Sequence, residues 1–191
     1  MVRSLIPALT SLVLVVTARA DLQLTPRILQ YEADGVKLEH LAFSDGGAKE
    51  ITYSPPRGWD YSGSANQLIL HPPNTSQAEA IIFKVKLPLS QPASFDDETV
   101  KRLVDEALAS VPRGSTNVQL VTQEKNPLMI EHKETLLVTL TYTFYGQNYN
   151  RSILFLNRGK EQIRFQLTCA RSDFRELHKA FLGSQFSWYN L

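Results

Sequence analysis

Cysteine is almost missing: Cys169 stands alone among 191 residues, so no disulfide can close within the chain and stability has to come from packing. An excess of charge is missing as well. Lys and Arg number 20 against 19 Asp and Glu, and so even a balance gives no field to draw nucleic acid or anionic lipid. No apolar run approaches the roughly 18 residues that a membrane span requires. The chain also has no HExxH, no paired Cys/His spacing, no GxSxG, no phosphate-binding P-loop and no dinucleotide Gly-rich fingerprint. No cofactor is implied, and these gaps point away from catalysis.

What is there begins with a leader. Residues 1–20 combine a basic start at Arg3, an apolar run from Leu5 to Val16, and small residues at Ala18 and Ala20, the pattern of a cleaved secretory signal peptide. Asp21 follows where a lipoprotein would need cysteine, so no lipid anchor is expected. Loss of Arg3 and Arg19 leaves 18 basic against 19 acidic side chains, a formal charge of −1. The mature chain, residues 21–191, has the length of one domain and should be soluble, periplasmic or secreted. Two sequons, at Asn74 and Asn150, matter only in a eukaryotic source.

No repeat, low-complexity tract or linker divides that domain. An N-terminal hairpin over 24–43 turns at Asp34-Gly35 and ends at Asp45-Gly46-Gly47. A short strand from Glu50 to Ser54 leads into PPRGW, and Arg57 to Gln67 reads as loop. Strands are expected at Gln67–Leu70 and Ala80–Leu87. The period then changes: Val100, Leu103, Val104, Ala107, Leu108 and Val111 form one apolar helical stripe. Ser94 with Asp97 resembles a capping box for it. A strand near Asn117–Glu124 precedes a three-strand meander, Glu134–Tyr145, Tyr149–Asn157 and Glu161–Cys169, joined at GQN and RGK. A second helix, Asp173–Leu182, is capped by Ser172 and stopped by Gly183.

Alternation decides how the thiol is read. Ile163, Phe165, Leu167 and Cys169 share one face of the last strand, and Gln162, Arg164, Gln166 and Thr168 share the other. Cys169 therefore continues an apolar row, and His178 lies on the core-facing stripe of the last helix, so a core thiol is expected over a Cys–His nucleophile. The polar face opposite is expected to meet water or a partner. Glu131, His132 and Glu134 form a tight cluster that could bind a divalent metal, although neighbours on a strand diverge. His40 and His71 are isolated in sequence. Trp59 is expected to plug the edge of the sandwich, a reading preferred over PPRGW as a proline-rich ligand for another domain.

A strand into Tyr53-Ser54-Pro55-Pro56-Arg57-Gly58-Trp59, the strand AIIFKVKLP, an amphipathic helix, a strand, a meander and a closing FRELHKAFLGSQFSW resemble the PsbP-like superfamily over about residues 48–190. That group includes the extrinsic oxygen-evolving subunit of photosystem II, a Ran-binding nuclear import factor and many uncharacterised secreted bacterial proteins. The resemblance implies the α+β class, as an α/β/α sandwich with a central antiparallel sheet, and a non-catalytic role docking on protein assemblies. The leader argues against the nuclear role, the lipobox cysteine of cyanobacterial relatives is missing, and no position matches a family binding motif.

The expected function is thus a secreted or periplasmic binding or accessory domain with an unidentified protein partner. Its partner-binding residues would be Arg57, Tyr61, His71 and Asn74, on loops bearing Gly, Ser and Pro, with Tyr61 as anchor. Two other readings are an envelope enzyme or metal binder using Glu131, His132 and Glu134, and a carrier of a small apolar ligand between sheet and helix. The exported protein is expected to begin at Asp21, which N-terminal sequencing checks; recovery of an intact Met1 form from the soluble cytoplasm overturns it.

Overall fold

The computed structural model describes residues 21–33, 36–46, 49–91 and 94–190. The leader, the Asp34-Gly35 turn and Gly47 lie outside the described residues. Two antiparallel sheets and two helices make up the fold. The smaller sheet contains β1 (Arg27–Ala33), β2 (Val36–Ser44), β3 (Glu50–Tyr53) and the terminal β10 (Tyr189–Asn190), in the order β1-β2-β3-β10. The larger contains β4 (Asp60–Gly63), β5 (Gln67–His71), β6 (Glu79–Gln91), β7 (Thr116–Lys125), β8 (Thr135–Phe144) and β9 (Gln147–Ala170), in the order β4-β5-β6-β9-β8-β7. The helices are α1 (Asp97–Ala109) and α2 (Phe174–Ser184), and a 3-10 turn, Gln185–Ser187, follows the second. No helix among the described residues is long and apolar enough to cross a membrane.

The 24 residues of β9 would extend roughly 80 Å if straight, several times the roughly 15 Å radius of gyration of a compact domain this size. The strand instead doubles back. The Arg171 N–H donates to the Asn148 carbonyl (3.0 Å), Arg151 Nε to Thr168 Oγ1 (2.9 Å), and Gln162 Nε2 to Asn157 Oδ1 (2.8 Å). These pairs all centre between Gly159 and Lys160, and Gly159 has φ +71°. The first arm pairs with β8 and the second with β6. The expected meander is therefore present, with its second turn at RGK. Its first turn is Tyr145-Gly146 and not GQN, since Phe144 and Gln147 already face each other in register.

Each helix covers one face of the larger sheet. Leu136, Val138, Leu140, Ile153 and Phe155 pack with Val100, Leu103, Val104 and Ala107 of α1. The alternate residues Leu137, Leu154 and Leu156 join a second core with Phe181 of α2 and Leu41, Phe43, Ile51 and Tyr53 of the smaller sheet. Period-2 alternation has sent neighbours to opposite cores, so the larger sheet is sandwiched between α1 on one side and α2 with the smaller sheet on the other. Trp59 plugs the second core, stacked on Phe181 with ring planes 8° apart.

Further expectations are corrected. Residues 57–67 are not all loop: β4 pairs with β5 from Asp60↔His71 to Gly63↔Leu68, although DYSG has little strand propensity of its own. The cap of α1 is Asp96, whose Oδ1 accepts from the Thr99 N–H at 2.7 Å, and not Ser94. At α2 the N-cap is Asp173 rather than Ser172, and Gly183 lies inside the helix. Finally, the polar face of the second β9 arm is covered over half its length, while Gln166 and Thr168 stay half-exposed. Gln162 is fully buried, and Arg164 is nearly so, donating to Gln162 Oε1 (2.8 Å) and to Glu106 Oε1 on α1 (2.6 Å) while lying over the rings of Phe155 and Phe83.

The β8–β9 turn holds Tyr145 at φ +46° ahead of Gly146 at +78°. Left-handed backbone costs an ordinary L-residue about 1–2 kcal/mol and Asn less, and Asn-Gly is the pair this hairpin turn favours. Because the Tyr145 side chain is 91% exposed, little packing is lost with it. Tyr145→Asn should therefore raise the melting temperature by about 2–4 °C. Calorimetry checks this, and a lower value overturns the strained-turn reading.

Candidate functional site

Cys169 is fully buried in the core row of β9. Burial, with a smaller contribution from the Asp173 charge, pushes its thiol up to about 12, so the nucleophilic thiolate is scarcely formed near neutrality. His178 stacks on Phe174, with centroids 4.8 Å apart and planes 10° apart, and its Nε2 is enclosed without a hydrogen-bond partner. Desolvation lowers its pKa. Thiol and imidazole are both packing groups here.

The cluster at Glu131, His132 and Glu134 is a turn, closed by the bridge between Ile130 and Lys133. Glu131 and His132 occupy its two left-handed positions, at φ +51° and +59°. Their side chains part company. Glu131 Oε2 accepts from Lys133 Nζ (2.6 Å) and Arg158 Nε (3.2 Å), Glu134 Oε2 accepts from the Phe95 N–H (3.3 Å), and His132 is exposed. Among the described residues no three His, Cys, Asp or Glu are placed to hold a metal ion. Arg158 completes the corner, donating through Nη1 and Nη2 to both oxygens of Asp45 at 3.2 and 2.6 Å. The cluster that suggested a metal site in sequence is one wall of an ion-pair clasp.

The four expected binding residues lie on the β4–β5 hairpin, which holds Tyr61 and His71, and on its flanking turns, which hold Arg57 and Asn74. Arg57, His71 and Asn74 are exposed, the last at φ +60°. Tyr61 is not. It packs half-buried against the larger core, and desolvation, with the Glu39 charge, raises its pKa. Three of the four are thus presented to solvent, while the expected anchor serves the core. Asn150, on β9, has an enclosed amide oxygen.

Sequence reading missed a pair. His40 Nδ1 and Ser54 Oγ lie 2.7 Å apart, within reach for a nucleophile and base. The Ser54 N–H donates to Ser187 Oγ at 2.7 Å, so the pair belongs to a clasp between β2, the end of β3 and the 3-10 turn. Only strand register brings positions 40 and 54 together, and register is not visible in either residue.

The remaining feature is an open groove of about 280 Å³ between α1 and β7, lined by Asp97, Val100, Lys101, Val104, Gln123 and Lys125. Lys125 Nζ bridges it to Asp97 Oδ1 at 2.9 Å. β7 closes the sheet on this side, hydrogen-bonded to β8 alone. Its Leu120 and Val121 are 41% and 52% exposed, and its register slips twice, between Thr116 and Gln119 and between Leu120 and Thr122.

No protein-family model matches the chain, and no curated protein does. Solved structures do match. The cyanobacterial PsbP of Synechocystis sp. PCC 6803 aligns over 85% of this chain and 91% of its own at 10% identity, with a TM-score of 0.51. A Pseudomonas aeruginosa protein of unknown function, a candidate regulator, aligns over 82% and 92% at 16% identity, with a TM-score of 0.44. The chain has the PsbP-like fold expected from its sequence, and identities this low speak to the fold alone.

The His178 environment sets a pH dependence. Its folded pKa lies below the ordinary 6.5, so the unfolded chain binds a proton that the folded chain refuses. Stability is full above 6.5 and is lost as pH falls from there towards the folded value. His178→Gln should flatten the stability curve between about pH 7 and pH 5, measured by denaturant unfolding; an unchanged slope overturns the assignment.

Proposed function

We propose that the protein is a secreted or periplasmic accessory domain that binds a protein partner and does not turn over a substrate. The observation that carries this reading is the outer edge of β7, whose exposed Leu120 and Val121 run beside the α1–β7 groove. A sheet edge offers unpaired N–H and C=O groups to an extended segment of another chain, and pockets for alternate side chains supply selectivity. Val100 and Val104 form an apolar floor for one such side chain, with Lys101 and Asp97 at its rim. The two bulges bend the edge away from flat pairing, a device that discourages indiscriminate association.

Support also comes from what the reactive groups already do. Cys169 and His178 pack, Ser54 and His40 clasp strands, and Glu131 and Glu134 hold a turn. A carrier of a small apolar ligand would have to use this same α1–β7 groove, which is open to solvent and rimmed by charge, since elsewhere α1 packs directly on Leu136, Val138 and Leu140 of β8.

A photo-crosslinking residue in place of Val121, in the native host, should give an adduct of one discrete mass that disappears with Leu120→Asp. An adduct obtained only with the crosslinker at His71 moves the surface to the β4–β5 end. No adduct from either position, with export intact, overturns the binding reading.

A further inference from the structure

The residues just after the expected cleavage point are built directly into the fold. Leu22 and Leu24 are fully buried in the larger core. Leu22 bridges to Asp45, the Gln23 N–H donates to the Ser44 carbonyl at 2.9 Å, and the Leu24 N–H donates to the Ala65 carbonyl at 3.2 Å. Two lysines of β6 fix the same stretch: Lys84 Nζ donates to the Leu22 carbonyl, and Lys86 pairs with the Asp21 carboxylate. Asp21 and Leu22 are therefore held beside the Lys84–Lys86 stretch of β6.

Directly opposite Lys86 in the β6–β9 register stands Glu161. Its Oε1 is closed from solvent and has no hydrogen-bond partner. The cations around it are engaged elsewhere: Lys84 with Leu22, Lys86 with Asp21, and Arg158 with Asp45 and Glu131. An enclosed acceptor without a donor is unfavourable, and burial accordingly raises the Glu161 pKa. A donor is missing at this corner, beside the residue expected to become the mature N-terminus.

We propose that leader removal supplies that donor: the new α-ammonium of Asp21 takes the Glu161 carboxylate, and the mature N-terminus fills a site that the unprocessed chain leaves open. The proposal rests on the reading that the leader is cleaved after Ala20. In that step a peptidase of the secretory route adds water across the Ala20–Asp21 amide; the C–N bond breaks, Ala20 leaves as a carboxylate, and Asp21 keeps a protonated amine. A single neutral amide N–H is replaced by three charged donors, and charge-assisted hydrogen bonds to a carboxylate are among the stronger ones. Processing then tightens the fold that residues 21–24 anchor, and the precursor is the less stable form.

The test uses a chain released from a fusion tag so that it begins at Asp21, as the free amine and as the N-acetylated form, each in wild type and in Glu161→Gln. The free amine should melt about 2–4 °C above the acetylated form in wild type and at the same temperature in Glu161→Gln. NMR titration of the wild-type α-amine, which does not depend on the variant folding, should place its pKa above the usual value of about 8. Equal melting of the two wild-type forms, an acetylation effect of the same size in Glu161→Gln, or an ordinary amine pKa overturns the pairing. An exported protein that begins elsewhere than Asp21 overturns the link to processing, a failure separable from the first because the melting comparison does not depend on cellular cleavage.

Discussion

The doubled strand β9 is the constraint on which the rest of the structure depends. Its two arms lie at the centre of the larger sheet with neighbours on both edges, and helices cover both faces. Polar side chains on the covered stretches of a central strand need partners within the protein. Arg151 and Arg164 show how this is met. Arg151 donates to the carbonyl and hydroxyl of Ser110, at 2.7 and 3.1 Å, and so supplies the C-terminus of α1 with the cation its own last turn lacks. Arg164 holds Glu106 one turn earlier. The helix is thus seated by its apolar stripe and aligned by two arginines from the strand beneath it.

A second consequence follows at the other end of β9. Where the arms turn, Arg158 reaches across to Asp45, directly after β2, and to Glu131 of the turn before β8. All three side chains are largely withdrawn from solvent, so removal of one partner would leave uncompensated charge, which is far costlier than the loss of a surface ion pair. That geometry explains two left-handed residues in succession at Glu131 and His132: the tight turn aims the Glu131 carboxylate inward at Arg158. What registers in the sequence as a polar cluster is the junction between the two sheets.

Much of this was legible in the residues. The helical stripe from Val100 to Val111 and the alternation from Ile163 to Cys169 are periodic signals generated by burial, and both sit in the fold as their periods require. The misreadings share one cause. Alternation shows which side chains share a face but not what covers that face, so Gln162 and Arg164 looked like a wet surface until α1 was placed on them. The β4 strand has almost no propensity of its own and exists because β5 offers it an edge. The His40–Ser54 contact, the core role of Tyr61 and the clasp at Arg158 all depend on register between segments far apart in sequence, which no local pattern encodes.

The surfaces that remain follow from the same logic. Once both faces of the larger sheet are covered, its open backbone is confined to the outer strands, and the two differ. Beside β4, a Cβ on Gly63 would lie 2.8 Å from the Leu24 carbonyl oxygen and closer still to the Pro26 ring, so the N-terminal segment crowds that edge and a larger side chain there would displace it. Among the described residues β7 has no such cover, is more than twice as long, and carries branched and aliphatic side chains into solvent. A fold of this kind does not prescribe a function. Crowding one edge with its own N-terminal segment while leaving the other bulged and solvent-facing gives this chain a polarity: the β4 side is taken up by Leu24 and Pro26, and on the β7 side an added strand would not disturb the core.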